Sequence, residues 1–224
     1  MKRIFFSSIL VFSVAVMFAQ SFDATTKWPY IYKDFIDGTV YINGAKKDLK
    51  MNVHLVNSAL HYLNGDQIVQ FDTKNASDTV FAILGIDKYI KTKAGFARII
   101  GNEGTVYVLA IKLADLDQLS SNNGAYGISS QVSAKNNLSS FELGGISNLN
   151  HRQLILEKED GKILVLKTEY YLLINGELVS AKRKEVENAL KNDEEKSRFN
   201  QFLKENKVKW SDERSLLKLL SFFR

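Results

Sequence analysis

The stretch "QLILEKEDGKILVLKTEYYLLINGELVSA" (153–181) contains three apolar runs that are separated by two short turns. The turn dipeptides are Asp160-Gly161 and Asn175-Gly176, whose residues tolerate the positive φ angles of a type I′ turn. Such turns connect antiparallel strands because their twist matches that of the strands. The stretch therefore predicts a three-stranded antiparallel meander, and its middle run is apolar enough for a strand that is buried on both faces.

The same signal recurs nearer the N-terminus, at Asn43-Gly44 and Asn64-Gly65. Runs rich in Val, Ile, Tyr and Phe surround these turns and are typical of strands: "DGTVYIN", "LKMNVHL", "SALHYL", "QIVQF", "TVFAIL", "GFARIIG" and "GTVYVLAIK". We therefore predict an α+β protein that is mainly β. Its body, residues 20–180, is expected to be an antiparallel sheet or sandwich, or a barrel-like sheet.

Residues 119–150 interrupt this pattern, because they are rich in Ser, Asn and Gly. Such a composition is typical of a long loop or of irregular edge strands. Long loops of this kind are either functional or mobile, and composition alone does not decide between the two.

The pattern changes to a helical one over residues 181–224, which contain neither Gly nor Pro. Asn192 followed by Glu195 is typical of a capped helix start. A second start is indicated by Ser211, Asp212 and Glu213. We predict short helices that pack on the β body through two apolar stripes: Phe199, Phe202 and Leu203, then Leu216, Leu217, Leu220 and Phe223. The alternative is a helix that lies on a membrane surface, because "SLLKLLSFFR" is apolar and basic.

The N-terminus resembles a secretory signal peptide. Lys2 and Arg3 precede an uncharged apolar run, Ile4 to Phe18, that is shorter than the roughly 20 residues of a membrane-spanning helix. We expect a signal peptide over residues 1–19 with cleavage after Ala19, although Ala15 fits the small-residue rule better. An uncleaved N-terminal anchor is the alternative.

Composition limits the classes of partner and site. The chain has no Cys, which excludes a lipid-modified cysteine, disulfides and cysteine-ligated metals. A net charge of +5 is too small to indicate nucleic acid. No second apolar span follows the signal, so we expect no integral membrane segment in the mature chain.

The sequence contains no nucleophile, phosphate-binding or dinucleotide-binding motif, so no catalytic residue and no cofactor are predicted. His54 and His61 are the one candidate metal pair. If Asn57-Ser58 is a two-residue turn, the two histidines oppose each other on one sheet face. We expect them to be polar residues on a solvated face, because a metal site needs at least a third ligand and His151 is distant in sequence.

The segment "TKWPYIYKDF" holds the candidate binding residues Trp28, Tyr30 and Tyr32. On a strand their alternation places all three rings on one side. Such rings either close one end of the core or form an exposed patch that stacks on sugars or grips a peptide. Pro29 favours an edge position, because it cannot donate to a strand ladder.

Three segments resemble a family of uncharacterised exported bacterial proteins: "WPYIYKDFIDGTVY" (28–41), "MNVHLVNSALHYLNGDQI" (51–68) and "RFNQFLKENKVKWSDERSLLKLLSFF" (198–223). The resemblance implies export and a strand-rich body with a helical tail. It implies no activity, ligand or catalytic residue.

These observations predict an exported, non-enzymatic binding or structural protein of the bacterial cell envelope, with an envelope glycan or a protein as partner. The sequence does not choose between the periplasm, the outer membrane and secretion. One alternative is a hydrolase of envelope glycans whose carboxylates are distant in sequence. Another is an inhibitor or adhesin that uses residues 119–150 as its contact surface.

Overall fold

The computed structural model of the chain describes residues 29–72, 78–115 and 164–224. Within these ranges it shows one antiparallel sheet of ten strands, curled into a half-barrel and followed by short helices. This confirms the predicted α+β, mainly β class, in its barrel-like form. The strands are Ile36–Ile42 (β1), Ala45–Val53 (β2), Leu60–Asn64 (β3), Gln67–Gln70 (β4), Val80–Leu84 (β5), Asp87–Thr92 (β6), Gly95–Glu103 (β7), Val106–Ala114 (β8), Leu166–Ile174 (β9) and Glu177–Ser180 (β10).

Several predictions fall outside the described residues. These are the signal peptide (1–19), the position of Trp28, the Ser/Asn/Gly-rich segment (119–150), His151, and the first strand and turn of the predicted meander.

Two meanders make up the sheet. Its order is β10-β9-β8-β7-β6-β5-β1-β2-β3-β4, so β5 returns to pair with β1 instead of with its chain neighbour β4. The turn between β1 and β2 holds this junction: the side chain of Asn43 accepts from the Thr79 amide and donates to Asp78, at 3.0 and 2.9 Å.

Of the predicted turns in the described residues, two lie where expected and one is displaced by one residue. Asn43-Gly44 and Asn175-Gly176 both have positive φ at each residue, as type I′ turns require. Between β3 and β4 the two-residue loop is Gly65-Asp66, because Asn64 still pairs with Gln67. Strand β6 was not predicted, since lysines interrupt its apolar pattern.

The two faces of the sheet differ in what they contact. On the inner face, side chains meet from strands that are not sheet neighbours, and they form a first cluster that includes Met51, Leu60, Leu84 and Ala114. The outer face carries a separate apolar cluster that includes Leu109 and Ile111. Because neighbouring residues of a strand point to opposite faces, β8 contributes Val108 and Ala114 inward and Leu109 and Ile111 outward.

The loop between β2 and β3 holds the curl of the sheet. The Ser58 carbonyl accepts a hydrogen bond from the Phe96 amide at 2.8 Å, and the Ser58 hydroxyl donates to the Phe96 carbonyl at 2.7 Å. The Ala114 amide donates to the Leu55 carbonyl at 2.7 Å. These bonds connect the β2 end of the sheet to β7 and β8, which lie on the far side of β1, β5 and β6.

The C-terminal tail is helical, as predicted. It contains α1 (Arg183–Asn188), α2 (Asp193–Glu205), α3 (Glu213–Leu217) and a 3-10 helix (Lys218–Phe222). Asn192 caps α2 by accepting from the Glu195 amide at 2.8 Å. Asp212, not Ser211, caps α3, and it accepts from the Ser215 amide at 2.7 Å.

The tail packs on the inner face of the sheet and forms a second cluster, which we call the tail cluster. Phe199, Leu216 and Leu219 are fully buried there against Val108 and Leu172 of the sheet. Burial of this kind is what supports helices that are too short to be stable alone. None of the helices in the three described ranges is long and apolar enough to cross a membrane.

We predict that Gly95→Ala strongly destabilises the fold. Gly95 has a φ of +112°, and a Cβ there would lie 2.7 Å from the Asn57 carbonyl oxygen and 2.9 Å from Ser58 Cβ. Backbone strain and the clash with the loop together cost about 2 to 4 kcal/mol. The midpoint of urea denaturation measures the loss.

Gly104→Ala is the matched control. Gly104 also has positive φ, but no atom lies within 4 Å of its added Cβ. It is expected to lose about 1 kcal/mol, from strain alone. Equal losses in the two variants would show that contact between the loop and β7 does not constrain the sheet.

We also predict that Leu216→Ala lowers the free energy of unfolding by about 2 to 5 kcal/mol, because Leu216 has no exposed surface in the tail cluster. Lys218→Ala, at an exposed position of the tail, is the control and should be nearly neutral. Equal stability of the two variants, with binding of the intact protein to anionic vesicles, would support the membrane-surface alternative for the tail.

Candidate functional site

A row of side chains crosses the inner face between the first cluster and the tail cluster. Tyr89 of β6 pairs directly with Arg98 of β7, Arg98 with Ala110 of β8, and Ala110 with Tyr170 of β9. Directly opposed residues share a sheet face, so the four side chains stand side by side. One step further along the strands, Lys112 pairs with Thr168. The row therefore places two cations and three hydroxyl groups on one surface.

A cavity of about 240 Å³ lies over this row. Ala110 forms its floor, because a methyl group between Arg98 and Tyr170 leaves space above the sheet. The β2–β3 loop, the segment before β1 and the tail supply the remaining walls. The described lining residues are Ile31, Ser58, Tyr89, Phe96, Arg98, Ala110, Lys112, Thr168, Tyr170 and Glu213.

The tail supplies the negative charge of the cavity. The guanidinium of Arg98 donates a hydrogen bond to the carboxylate of Glu213, the first residue of α3. The two side chains are 35% and 37% exposed, so water reaches the pair. The Asp212 cap fixes where α3 begins and therefore where Glu213 stands.

Tyr89 belongs to a second polar group behind the cavity. The Tyr32 hydroxyl donates to the Asp87 carboxylate at 2.8 Å and lies 3.1 Å from the Tyr89 hydroxyl. Burial raises the pKa of both phenols, and the charge of Asp87 raises each further. Arg98 works in the opposite direction on the pKa of Tyr89, because a nearby cation favours the phenolate.

Tyr170, at the other end of the row, lies near the charges of Glu213 and Arg98. Burial raises the pKa of Tyr170, the charge of Glu213 raises it further, and the charge of Arg98 lowers it. Titratable groups with perturbed pKa values in a concave site are typical of functional sites. The cavity is therefore the candidate functional site of the chain.

The residues of this row were not predicted from the sequence. The sequence does contain an indication of Arg98 and Lys112. Arg98 lies in the apolar run "GFARIIG" and Lys112 in "VLAIKLA", each at a position whose side chain faces inward if residues alternate between the two faces of the strand. A charged residue at an inward position of an apolar strand is unusual, because burying an unpaired charge costs free energy. The contribution of Glu213, 115 residues from Arg98, had no such signal.

The histidines are close together, but the predicted register and the solvated face are wrong. Strand β2 ends at Val53, which pairs with Leu60, and His61 pairs with Asn52 instead of with His54. The reason is that residues 54–59 form a longer loop, in which Ser58 turns toward β7. His54 and His61 are 2% and 1% exposed, and their rings stack with centroids 5.0 Å apart.

The N-terminal segment covers these histidines. The Tyr30 hydroxyl lies 2.9 Å from His61 Nδ1, and the Tyr30 ring meets both imidazoles edge-on. Among the described residues, no group of three or more His, Cys, Asp or Glu side chains is arranged to hold a metal ion.

Tyr30 and Tyr32 do not form the predicted strand face. Tyr30 makes an isolated bridge to His54, and residues 31–34 bend. Tyr30 is buried against the histidines, whereas Tyr32 is half-buried against the first cluster. Asn52 holds this bend: its amide nitrogen donates to the Tyr32 and Asp34 carbonyls, and its oxygen accepts from the Tyr32 amide.

We predict that the protein loses stability as the pH rises above about 10, the ordinary pKa of tyrosine. The raised pKa values of Tyr32 and Tyr89 mean that the unfolded chain releases these protons first. Their stabilising contribution is complete below that pH and is lost as the pH rises, by up to about 1.4 kcal/mol per pH unit for each phenol. Urea denaturation at a series of pH values measures the slope.

Tyr32→Phe is expected to make this slope shallower. Tyr107→Phe, on the outer face, is the reference for loss of one phenol elsewhere. A slope in Tyr32→Phe as steep as that of the unchanged protein would contradict the assignment.

Comparisons with known proteins found no relative of this chain. No protein-family model matches the chain. A search of curated proteins and a search of solved structures each found no match.

Proposed function

We propose that the chain is a non-enzymatic binding protein of the bacterial cell envelope, and that its ligand binds in the inner-face cavity over Ala110. The observation that carries the binding proposal is the polar row inside an otherwise apolar face. Export and the envelope address rest on the basic and apolar N-terminal residues of the sequence.

A purely structural role does not account for this row. The Arg98–Glu213 pair alone would attach the tail to the sheet. However, Lys112, Thr168 and Tyr170 also face the same cavity. Lys112 and Tyr170 are partly buried, and apolar side chains at these two positions would stabilise a core at lower cost, because charged and polar groups lose hydration on burial. Convergent polar groups around a cavity are what ligand sites need.

The hydrolase alternative has less support from this cavity. Glycosidases use two carboxyl groups that flank the bond to be cleaved. Among the described lining residues, Glu213 is the one carboxylate, and it is engaged with Arg98. This arrangement favours binding over hydrolysis.

The test combines cell fractionation with co-sedimentation of the purified protein on envelope fragments. The pocket variant is Arg98→Gln with Lys112→Gln. The control is Arg214→Gln with Lys218→Gln, which removes the same charge from exposed positions of the tail. We expect the pocket variant to bind envelope fragments at least about tenfold more weakly, because hydrogen bonds to charged groups are lost, and the control to bind like the unchanged protein.

Recovery of the native protein in the cytoplasmic fraction would overturn the envelope proposal. Equal co-sedimentation of the pocket variant and the unchanged protein would overturn the cavity as the binding site.

A further inference from the structure

We infer that the sheet carries a second binding surface, at the open edge of β9, which takes a short extended peptide as an added β-strand. The surface lies beside the inner-face cavity, and the inference does not depend on the binding proposed there.

A step in the edge of the sheet exposes part of β9. Strand β8 pairs with residues 166–173 of β9, whereas β10 pairs only with residues 171–174. Beyond Ser180 the chain leaves the sheet and forms α1. Residues 166–169 therefore have a neighbouring strand on one side and an open edge on the other.

Two hydrogen bonds show which way the backbone groups of β9 point. The Tyr170 carbonyl accepts from the Ala181 amide at 2.9 Å, on the β10 side. The Val165 carbonyl accepts from the Asp115 amide at 2.8 Å, on the β8 side. Successive residues of an antiparallel strand point their amide and carbonyl to opposite neighbours. Those of Thr168 therefore point to the open edge.

The backbone of Thr168 supplies the groups that an added strand recognises. Among residues 29–72, 78–115 and 164–224, none bonds to its outward amide or carbonyl, and Thr168 is exposed. An extended peptide presents an amide and a carbonyl at the spacing that this pair requires, and strand addition at a sheet edge is a recurring mode of peptide binding. The edge therefore fits a polypeptide backbone.

A groove of about 540 Å³ provides room for the added strand. Both faces of β9, the end of β10 and the tail line it. Trp210 is half-buried beside the tail cluster, on the inner side of this groove. Its ring offers an apolar contact to a side chain of the peptide. Because side chains of a strand alternate between faces, every second residue of the peptide is expected to be apolar.

The charges beside the open edge favour a peptide that also carries an acidic residue. Lys167 and Glu169 of β9 compensate each other, with Nζ and Oε1 3.8 Å apart. Lys182, at the end of β10, is exposed and forms no ion pair with any carboxylate in the described part of the chain. A carboxylate of the peptide complements it.

The experiment begins with selection of displayed random eight-residue peptides on the full chain, and the most enriched peptide is synthesised as the probe. The decisive variant is Thr168→Pro, because proline removes the outward amide and is tolerated at an edge position. Thr168→Ala is the matched control, since it removes the same side chain and keeps the amide. Both variants are checked for a folded NMR spectrum.

We expect Thr168→Pro to bind the probe at least about tenfold more weakly than Thr168→Ala, because it leaves a carbonyl of the peptide unpaired. Lys182→Gln should bind about two- to threefold more weakly than the unchanged protein.

Two forms of the probe, N-methylated at alternate residues in the two possible frames, separate strand addition from binding by side chains. One frame blocks the amides that face β9 and should abolish binding, whereas the other blocks amides that face solvent and should preserve it.

The exchange rate of the Thr168 amide tests whether the edge is open. We expect fast exchange in the protein alone and exchange at least about tenfold slower with the probe bound. The Glu169 amide, which points to β8, is the internal reference and should exchange slowly in both states.

Four results would overturn the inference. Binding of the enriched peptides to Thr168→Pro as tightly as to Thr168→Ala would place them elsewhere, and equal binding of the two N-methylated forms would exclude strand addition. Slow exchange of the Thr168 amide in the protein alone would show that the edge is already occupied. A dimer in analytical ultracentrifugation that Thr168→Pro dissociates would assign the edge to a second copy of the chain.

Discussion

The hydrogen bonds between the β2–β3 loop and strands β7 and β8 are the constraint on which the rest of the structure depends. A long antiparallel sheet twists and tends to curl, and contacts between distant strands fix the shape of the curl. Here the backbone of Ser58 bonds to Phe96 across three intervening strands, and that of Leu55 bonds to Ala114 across four. The curl creates an inner face where non-neighbouring strands share a core. It also places Ser58 beside the cavity, so the element that closes the fold is a wall of the candidate site.

The inner face is not uniformly apolar, and its polar part lies between the two places where it is best packed. The first cluster and the tail cluster each bury large apolar side chains, whereas Arg98 and Lys112 stand between them. Cations in such a position need compensation, because desolvation opposes their burial. Glu213 and partial exposure to water supply it for Arg98. A sequence selected for stability alone would fill this space with apolar side chains, which is why this part of the face is the candidate functional site.

The sequence predicts what is local and fails where contacts are distant. The Asn-Gly turns identify the β1–β2 and β9–β10 hairpins, and the Asn192 cap identifies a helix start, because each depends on a few adjacent residues. The predicted register of β2 and β3 was wrong because a hydrogen bond turns Ser58 toward Phe96, which is 38 residues away. Parity within β7 and β8 indicates that Arg98 and Lys112 point inward. Only the tertiary structure adds Glu213, whose position depends on how the tail packs.

One short helix of the tail, α3, contributes both a buried core residue and a residue that lines the candidate site. Asp212 caps α3, Glu213 follows it, and Leu216 is buried in the tail cluster. Burial of Leu216 fixes the helix backbone, so the Cα of Glu213 stays near Arg98 whether or not their ion pair is formed. The Glu213 side chain is partly exposed and can rotate toward water while the helix stays docked. Loss of the pair therefore costs one partly exposed ion pair, and not the packing of the tail. The packing of the tail and the Arg98–Glu213 pair are therefore separate contributions, and the core does not depend on the pair.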